Sequence, residues 1–218
     1  MNSLVHVGSY ARELGASLER LFENALDWEH LPHAHAGSFS DIRLIKADRS
    51  GWRATVGLPG GGILTIDLRL DRDQSRWTSR TETDGAVAAE IRTVAKALGS
   101  DRCRVAVDFF VAGISDDKRA ATGDFYRRLY AGLYDEDEAL MVARAAAIAR
   151  GPGAFAERRT IMLADGSTAA VPLYCPHRGL PLDAAPDADG IITCPWHGYR
   201  FDVRTGRCVS GQMCGWRR

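Results

Sequence analysis

Two short stretches, each pairing a cysteine with a histidine, constrain this chain more than any other feature. Residues 174–202 read YCPHRGLPLDAAPDADGIITCPWHGYRFD, so Cys175-x-His177 is followed, after sixteen intervening residues, by Cys194-x-x-His197. Two such pairs on two loops place four metal donors where an ion or cluster can collect them, and zinc would accept the same four residue types. Cysteine usage agrees. Five cysteines in 218 residues, an odd number lying mostly in the last quarter, suit thiolate ligation in a reducing compartment better than a disulfide scaffold. Cys208 and Cys214 lie beyond the ligand set and read as ordinary packed or exposed thiols, and Cys103 reads as a core residue.

The glycines and prolines around each pair, and the run Cys-Pro-Trp-His-Gly-Tyr-Arg-Phe-Asp, resemble a Rieske domain through many more positions than four ligands. The resemblance covers about residues 155–210. It implies a Rieske-type [2Fe–2S] cluster, with one iron on the thiolates of Cys175 and Cys194 and the other on the neutral imidazoles of His177 and His197. Respiratory Rieske proteins carry an extra cysteine in each loop, and these form a disulfide; Leu180 and Trp196 occupy those places here. The loops are instead similar to those of Rieske oxygenases, which implies a lower-potential centre fed by a reductase.

The remainder has the composition of a globular protein, 45 % hydrophobic and 26 % charged, so a packed core is expected. Lys+Arg and Asp+Glu both number 28, and nothing in that balance favours nucleic acid or an anionic membrane. The start MNSLVHVGSYARELG lacks the pattern of a signal peptide, and no run of eighteen apolar residues occurs, so the expected location is cytoplasmic. Residues 11–35 carry apolar positions at helical spacing (Leu14, Leu18, Leu21, Phe22, Leu26), interrupted at Pro32, and predict two short helices. Alternation then takes over: Trp52, Ala54, Val56 and Leu58; Leu64, Ile66, Leu68 and Leu70; Cys103, Val105, Val107 and Phe109. Asp116 to Arg150 returns to helical spacing and meets Gly151-Pro152-Gly153, which ends a helix and sets the expected boundary between residues 1–150 and 154–218. Short helices, antiparallel strands and a long helix resemble the helix-grip (START or Bet v 1-like) superfamily. The expected fold is α+β: an antiparallel sheet around a long C-terminal helix, followed by a small all-β Rieske domain.

If the cluster serves an oxygenase, a second iron should bind dioxygen through two histidines and a carboxylate. Residues 23–35, ENALDWEHLPHAH, contain Asp27-x-x-His30-x-x-x-x-His35, which resembles the mononuclear Fe(II) motif of Rieske oxygenase catalytic domains. A spacing of five lets His30 and His35 face one metal only if the helix breaks between them, and Pro32 supplies a break. His33, three residues after His30, is the alternative ligand, and an exposed, His-rich helix end is the alternative to any site. On the long helix Asp137 shares the side of Tyr126, Tyr130, Leu133, Leu140, Met141 and Ile148, whereas Asp135 points nearly opposite. An acid on an apolar stripe needs a metal or an ion-pair partner. Asp27, three residues before His30, can accept that imidazole's other N–H. The resemblance gives Asp27 a further role, a hydrogen bond to a cluster histidine across a subunit boundary, and so implies a homo-oligomer, a trimer.

In ring-hydroxylating oxygenases the Rieske domain precedes the catalytic domain. Here it follows, and both parts are short, so the reading is a compact, permuted oxygenase. The resemblance implies that a separate NAD(P)H-dependent reductase or ferredoxin supplies electrons, since no G-x-G-x-x-G motif appears. Dioxygen would then hydroxylate, dihydroxylate or oxidatively demethylate an apolar or aromatic molecule. Two other classes remain open: a non-catalytic electron carrier or redox sensor with a ligand-binding helix-grip part, and a lipid- or pigment-binding module holding zinc.

Overall fold

The computed structural model describes residues 3–216 apart from 152, 154, 155 and 212. Two compact units are present, Met1–Met141 and Val142–Arg218, and the dividing point falls inside the long helix.

In the first unit seven strands form one antiparallel sheet in the order β1-β7-β6-β5-β4-β3-β2. They are β1 (Leu4–Leu14), β2 (Asp41–Asp48), β3 (Gly51–Gly57), β4 (Ile63–Asp71), β5 (Arg76–Thr83), β6 (Ala86–Ala97) and β7 (Cys103–Ala112). The alternation does what a period of two dictates. Cys103, Val105, Val107 and Phe109 on β7 are buried, as are Trp52, Ala54 and Val56 on β3 and Ile66, Leu68 and Leu70 on β4. Arginines and acids on the other face pair across strands, Arg53 with Glu82 at 2.6 Å and with Asp67 at 3.3 Å, and along β4, Arg69 with Asp67 at 2.9 Å, so that face stays polar.

The segment from 11 to 17 departs from the helical expectation. Residues up to Leu14 belong to β1, which pairs with β7 from Leu4↔Ala112 to Leu14↔Cys103. Leu14 ends that strand buried at 1 % exposure, so its helical spacing to Leu18 and Leu21 reflects a shared core across a turn. Helix α1 (Leu18–Leu26) starts only after Ser17, whose side chain accepts from the Arg20 N–H at 3.2 Å.

Helix α3 (Asp116–Arg150) lies on the sheet's apolar face, where Tyr126 and Tyr130 pack on Phe109 with ring centroids 5.3 and 5.0 Å apart. It ends before Gly151, whose φ of 68° no longer fits a helix. Near its start it passes β1 closely. A Cβ added at Gly123 would lie 2.2 Å from the Val7 carbonyl oxygen, and one at Gly8, after the bulge in β1, would lie 3.4 Å from the Gly123 Cα. Ile148, expected on the apolar stripe, is 49 % exposed, so the stripe closes earlier, at Leu140 and Met141.

The second unit contains two ladders, β8 (Arg158–Met162) with β9 (Thr168–Pro172) and β10 (Ile191–Thr193) with β11 (Arg200–Asp202). Its separate core gathers Ile161, Val171, Leu182, Ile192 and Phe201 around Cys175 and Cys194.

Two glycines of α3 make a paired prediction. Gly123→Ala should destabilise by about 1–3 kcal/mol, because the methyl must displace backbone. Gly132→Ala, with nothing within 4 Å of its added Cβ, should stabilise by about 0.5–1 kcal/mol. Urea denaturation of both variants reads the contrast, and equal effects would mean that α3 does not approach β1 as described.

Candidate metal centres

Helix α1 ends at Asp27, whose N–H bonds back to Asn24 O at 3.0 Å, and a 3-10 turn (Trp28–His30) follows. The chain then enters α2 (Leu31–Ala34), in which Pro32 sits in the first turn, where its missing N–H costs nothing. The break needed between His30 and His35 is therefore a junction of two short helical pieces, with Pro32 opening the second. His35 leaves that helix with φ −109° and ψ 38°. Trp52 Nε1–H donates to Ala25 O at 2.9 Å and holds the end of α1 against β3.

This path turns both imidazoles toward Asp137 on α3. His30 Nε2 lies 3.1 Å from His35 Nε2 and 3.3 Å from Asp137 Oδ1, and His35 Nε2 lies 3.0 Å from the same oxygen. Both histidines are 3 % exposed. Among the described residues, these alone bring three His, Cys or acidic donor atoms mutually within 4.8 Å. With metal–donor bonds of about 2.1 Å, ligands at right angles stand about 3.0 Å apart and tetrahedral ligands about 3.4 Å. The observed edges of 3.0–3.3 Å lie within this span, so the three atoms could hold one metal ion as two histidines and one carboxylate. His33 is exposed and outside the triad.

Glu136 completes the surroundings. Its Oε2 lies 2.6 Å from His35 Nδ1, the contact of an N–H donor on a carboxylate, which fixes the ring with Nε2 inward. Glu136 is one of four adjacent acids in the sequence, residues 135–138; its position one residue before Asp137 is the signal that could have found it. Asp27 is buried at 3 %, but His30 Nδ1 is buried without a hydrogen-bond partner, so the expected bond between the two is not made. Burial pushes the Asp137 carboxyl up, and hydrogen bonds from His30 and His35 outweigh it and hold the group below the ordinary carboxylate range. Burial opposes charge on His35, yet Asp137 and Glu136 together raise its pKa.

A cavity of about 140 Å³ opens beside the triad, walled by Phe39, Trp52, Leu68, Trp77, Tyr130 and Tyr134. Burial raises the pKa of both tyrosines, so these phenols stay neutral.

In the second unit the two ligand loops share one backbone design. Cys175 N–H donates to Leu180 O at 2.7 Å and Gly179 N–H to Cys175 O at 2.8 Å; Cys194 N–H donates to Tyr199 O at 2.8 Å and Gly198 N–H to Cys194 O at 2.9 Å. Gly179 and Gly198 have φ of 71° and 67°, which explains a glycine four residues after each cysteine. The two sulfurs are hydrogen-bonded to each other, the backbone N–H of His177 points at one and those of Trp196 and His197 at the other. The rings of His177 and His197 stand 4.7 Å apart. The four donors thus form a sulfur pair and an imidazole pair, the division a dinuclear cluster requires. Trp196 Nε1–H donates to Pro181 O at 3.0 Å and ties loop to loop. Arg144 and Arg150 donate to the carbonyls of Arg178 and Gly179 at 2.7 and 3.3 Å.

Residues 136–215 match the Rieske [2Fe-2S] domain family, so the C-terminal part of the chain is a Rieske domain. A stretch of 47 residues is 40 % identical to a cholesterol 7-desaturase, nvd, of Hemicentrotus pulcherrimus; it spans 21 % of this chain and 10 % of that protein. The Zhui aromatase/cyclase of Streptomyces sp. R1128 superposes with a TM-score of 0.52 at 10 % identity, over 66 % of this chain and 96 % of that one. A norcoclaurine synthase point mutant of Thalictrum flavum gives 0.50 at 16 % identity, over 65 % of this chain and 98 % of that one. These likenesses show a helix-grip fold in the N-terminal part.

Histidine binds metal only when neutral, and His35 keeps its proton to higher pH than an ordinary imidazole. Co(II) affinity of the triad should therefore fall as pH is lowered, starting above about pH 6.5, while Asp137 stays ionised and adds no second step. Glu136→Gln should weaken binding by about 10–100-fold. Visible titration with Co(II) measures both; affinity indifferent to pH and to Glu136 would mean that the metal binds elsewhere.

Proposed function

We propose that this protein is the oxygenase component of a Rieske-type non-heme iron system, acting on a small apolar or aromatic molecule. The observation that carries this reading is the buried His30/His35/Asp137 triad at the wall of an aromatic-lined cavity, in a chain that also carries a Rieske domain. An Fe(II) ion held by that triad would keep positions open for dioxygen and supply the redox chemistry that side chains lack. The [2Fe–2S] cluster would be held by Cys175, Cys194, His177 and His197 and would deliver electrons one at a time.

The chain's own residues do the rest. Asp137 offsets positive charge in a buried site, and Glu136 fixes the orientation of His35. The two tryptophans, Phe39 and Leu68 keep water away and offer flat apolar surface. Tyr130 and Tyr134 stay neutral and add no charge to that wall. A dry cavity of about this volume accepts a single benzene-sized group, so one ring of the substrate is expected here, hydroxylated, dihydroxylated or freed of an O- or N-methyl group. The desaturase match covers too little of either protein to carry its sterol across. The same proposal includes a separate NAD(P)H-dependent reductase or ferredoxin as electron donor and a homo-oligomeric assembly.

Metal content decides first. Anaerobically purified protein should hold about three irons and two acid-labile sulfides per chain and little zinc. His30→Ala combined with His35→Ala should keep the cluster's colour, lose about one iron and abolish substrate-dependent oxygen consumption. Two irons with no third taken up on Fe(II) addition would overturn the oxygenase reading in favour of an electron carrier.

A further inference from the structure

Two thiols of the second unit belong to neither centre, and the strand register brings them together. Phe201 and Cys208 form an antiparallel bridge, Asp202 N–H donates to Arg207 O at 3.0 Å, and Val209 N–H donates to Arg200 O at 2.8 Å. Residues 207–209 thus extend the β10–β11 ladder by one strand. Arg207 and Gly215 form a second antiparallel bridge, and Trp216 N–H donates to Gly206 O at 2.9 Å. With 206 opposite 216 and 207 opposite 215, Cys208 falls directly opposite Cys214.

Directly opposed residues of an antiparallel pair point to the same face with Cβ atoms about 4.5–5.5 Å apart, and a disulfide needs about 3.5–4.5 Å. The bond from Trp216 N–H to Gly206 O makes Cys208 and Cys214 a hydrogen-bonded pair, at the wide end of the cross-strand range, so a gap of about one to two ångström remains for a small strand adjustment to close. The same cross-strand row continues from Cys208 to Phe201 and Ile192, both fully buried, so both thiols lie on the core side. They are half-buried against the core that holds Cys175 and Cys194, and Trp216 covers Phe201 at 5.3 Å. The structure forms no disulfide between them, and Cys208 Sγ lies 3.3 Å from Ser210 Oγ.

We propose that Cys208 and Cys214 are a reversible dithiol–disulfide couple, a redox clasp on the C-terminal hairpin that packs against the cluster-binding core, and that its exchange partner is a low-molecular-weight disulfide of the glutathione type. The thiolate of one cysteine attacks a sulfur of the oxidised partner, forms a mixed disulfide and releases one small thiolate. The second cysteine's thiolate then attacks the protein sulfur of that mixed disulfide, closes the Cys208–Cys214 bond and releases the other small thiolate. Two electrons pass from the protein to the partner, and the two protons lost by the cysteines end on the two released thiols. Reduced partner in excess reverses both steps. The clasp joins the last two members of this arrangement and so ties its C-terminal edge to the segment that borders Phe201.

The test uses the full chain with its cluster loaded, held anaerobically at increasing ratios of oxidised to reduced glutathione, then alkylated and digested with trypsin. Cleavage after Arg207 and Arg217 leaves Cys208 and Cys214 on one peptide. That peptide should lose both alkyl labels and be lighter by two hydrogens than its reduced, unlabelled form, with the visible spectrum of the cluster retained and the change undone by reduced glutathione. Cys208→Ser and Cys214→Ser should each keep the cluster spectrum, and the remaining cysteine should stop at the glutathione adduct. Two alkylated cysteines at every ratio, two separate adducts in the wild type, or oxidation that proceeds only with loss of the cluster would overturn the proposal. None of these readouts depends on oxygenase activity.

Discussion

The close passage of α3 over β1 sets where every later residue of that helix falls in the first unit. Gly123 meets the Val7 carbonyl where no Cβ could fit, so helix and strand are held in contact at one point. From there Asp137 is fourteen residues on, about 21 Å along the axis at the usual rise and within about 40° of the same face. Tyr130, Tyr134 and Met141 lie on that face too. The aromatic wall of the cavity, the acid of the triad and the last core contact of the helix are therefore positioned together, and the sheet supplies the opposing surface through Trp52, Leu68 and Trp77.

The two candidate centres rest on different kinds of order. Those four donors of the second unit come from two copies of one local design, a cysteine whose N–H and C=O are both taken up within five residues and a glycine that turns the chain back. Each loop can form with few distant contacts. The triad has no such local design. His30 and His35 sit on either side of a helix junction, and Asp137 arrives from a helix more than a hundred residues later, so its donors converge only once sheet and helix have packed.

That difference explains what the sequence made legible. Both loops announce themselves because proline and glycine are required at fixed offsets from each cysteine. Strands β3, β4 and β7 are legible from strict alternation, and Asp137 from its place on an apolar stripe. Residues 11–14 misled because Leu14 shares helical spacing with residues across a turn. Strands β5 and β6 gave little signal, since arginines, acids and threonines occupy much of both faces. Glu136 was hidden in a run of four acids, and the choice of His35 over His33 depended on dihedrals at a helix junction. The opposition of Cys208 and Cys214 needed a register, which no spacing in sequence supplies.

A metal bound by His30, His35 and Asp137 would also be a cross-link, closing a loop of roughly a hundred residues in the chain. A bond of that span slows global unfolding, and proteases act on chains that have opened. Loaded and empty molecules would then have different lifetimes in the same cell, so that metal supply would govern how much of the protein survives to be counted.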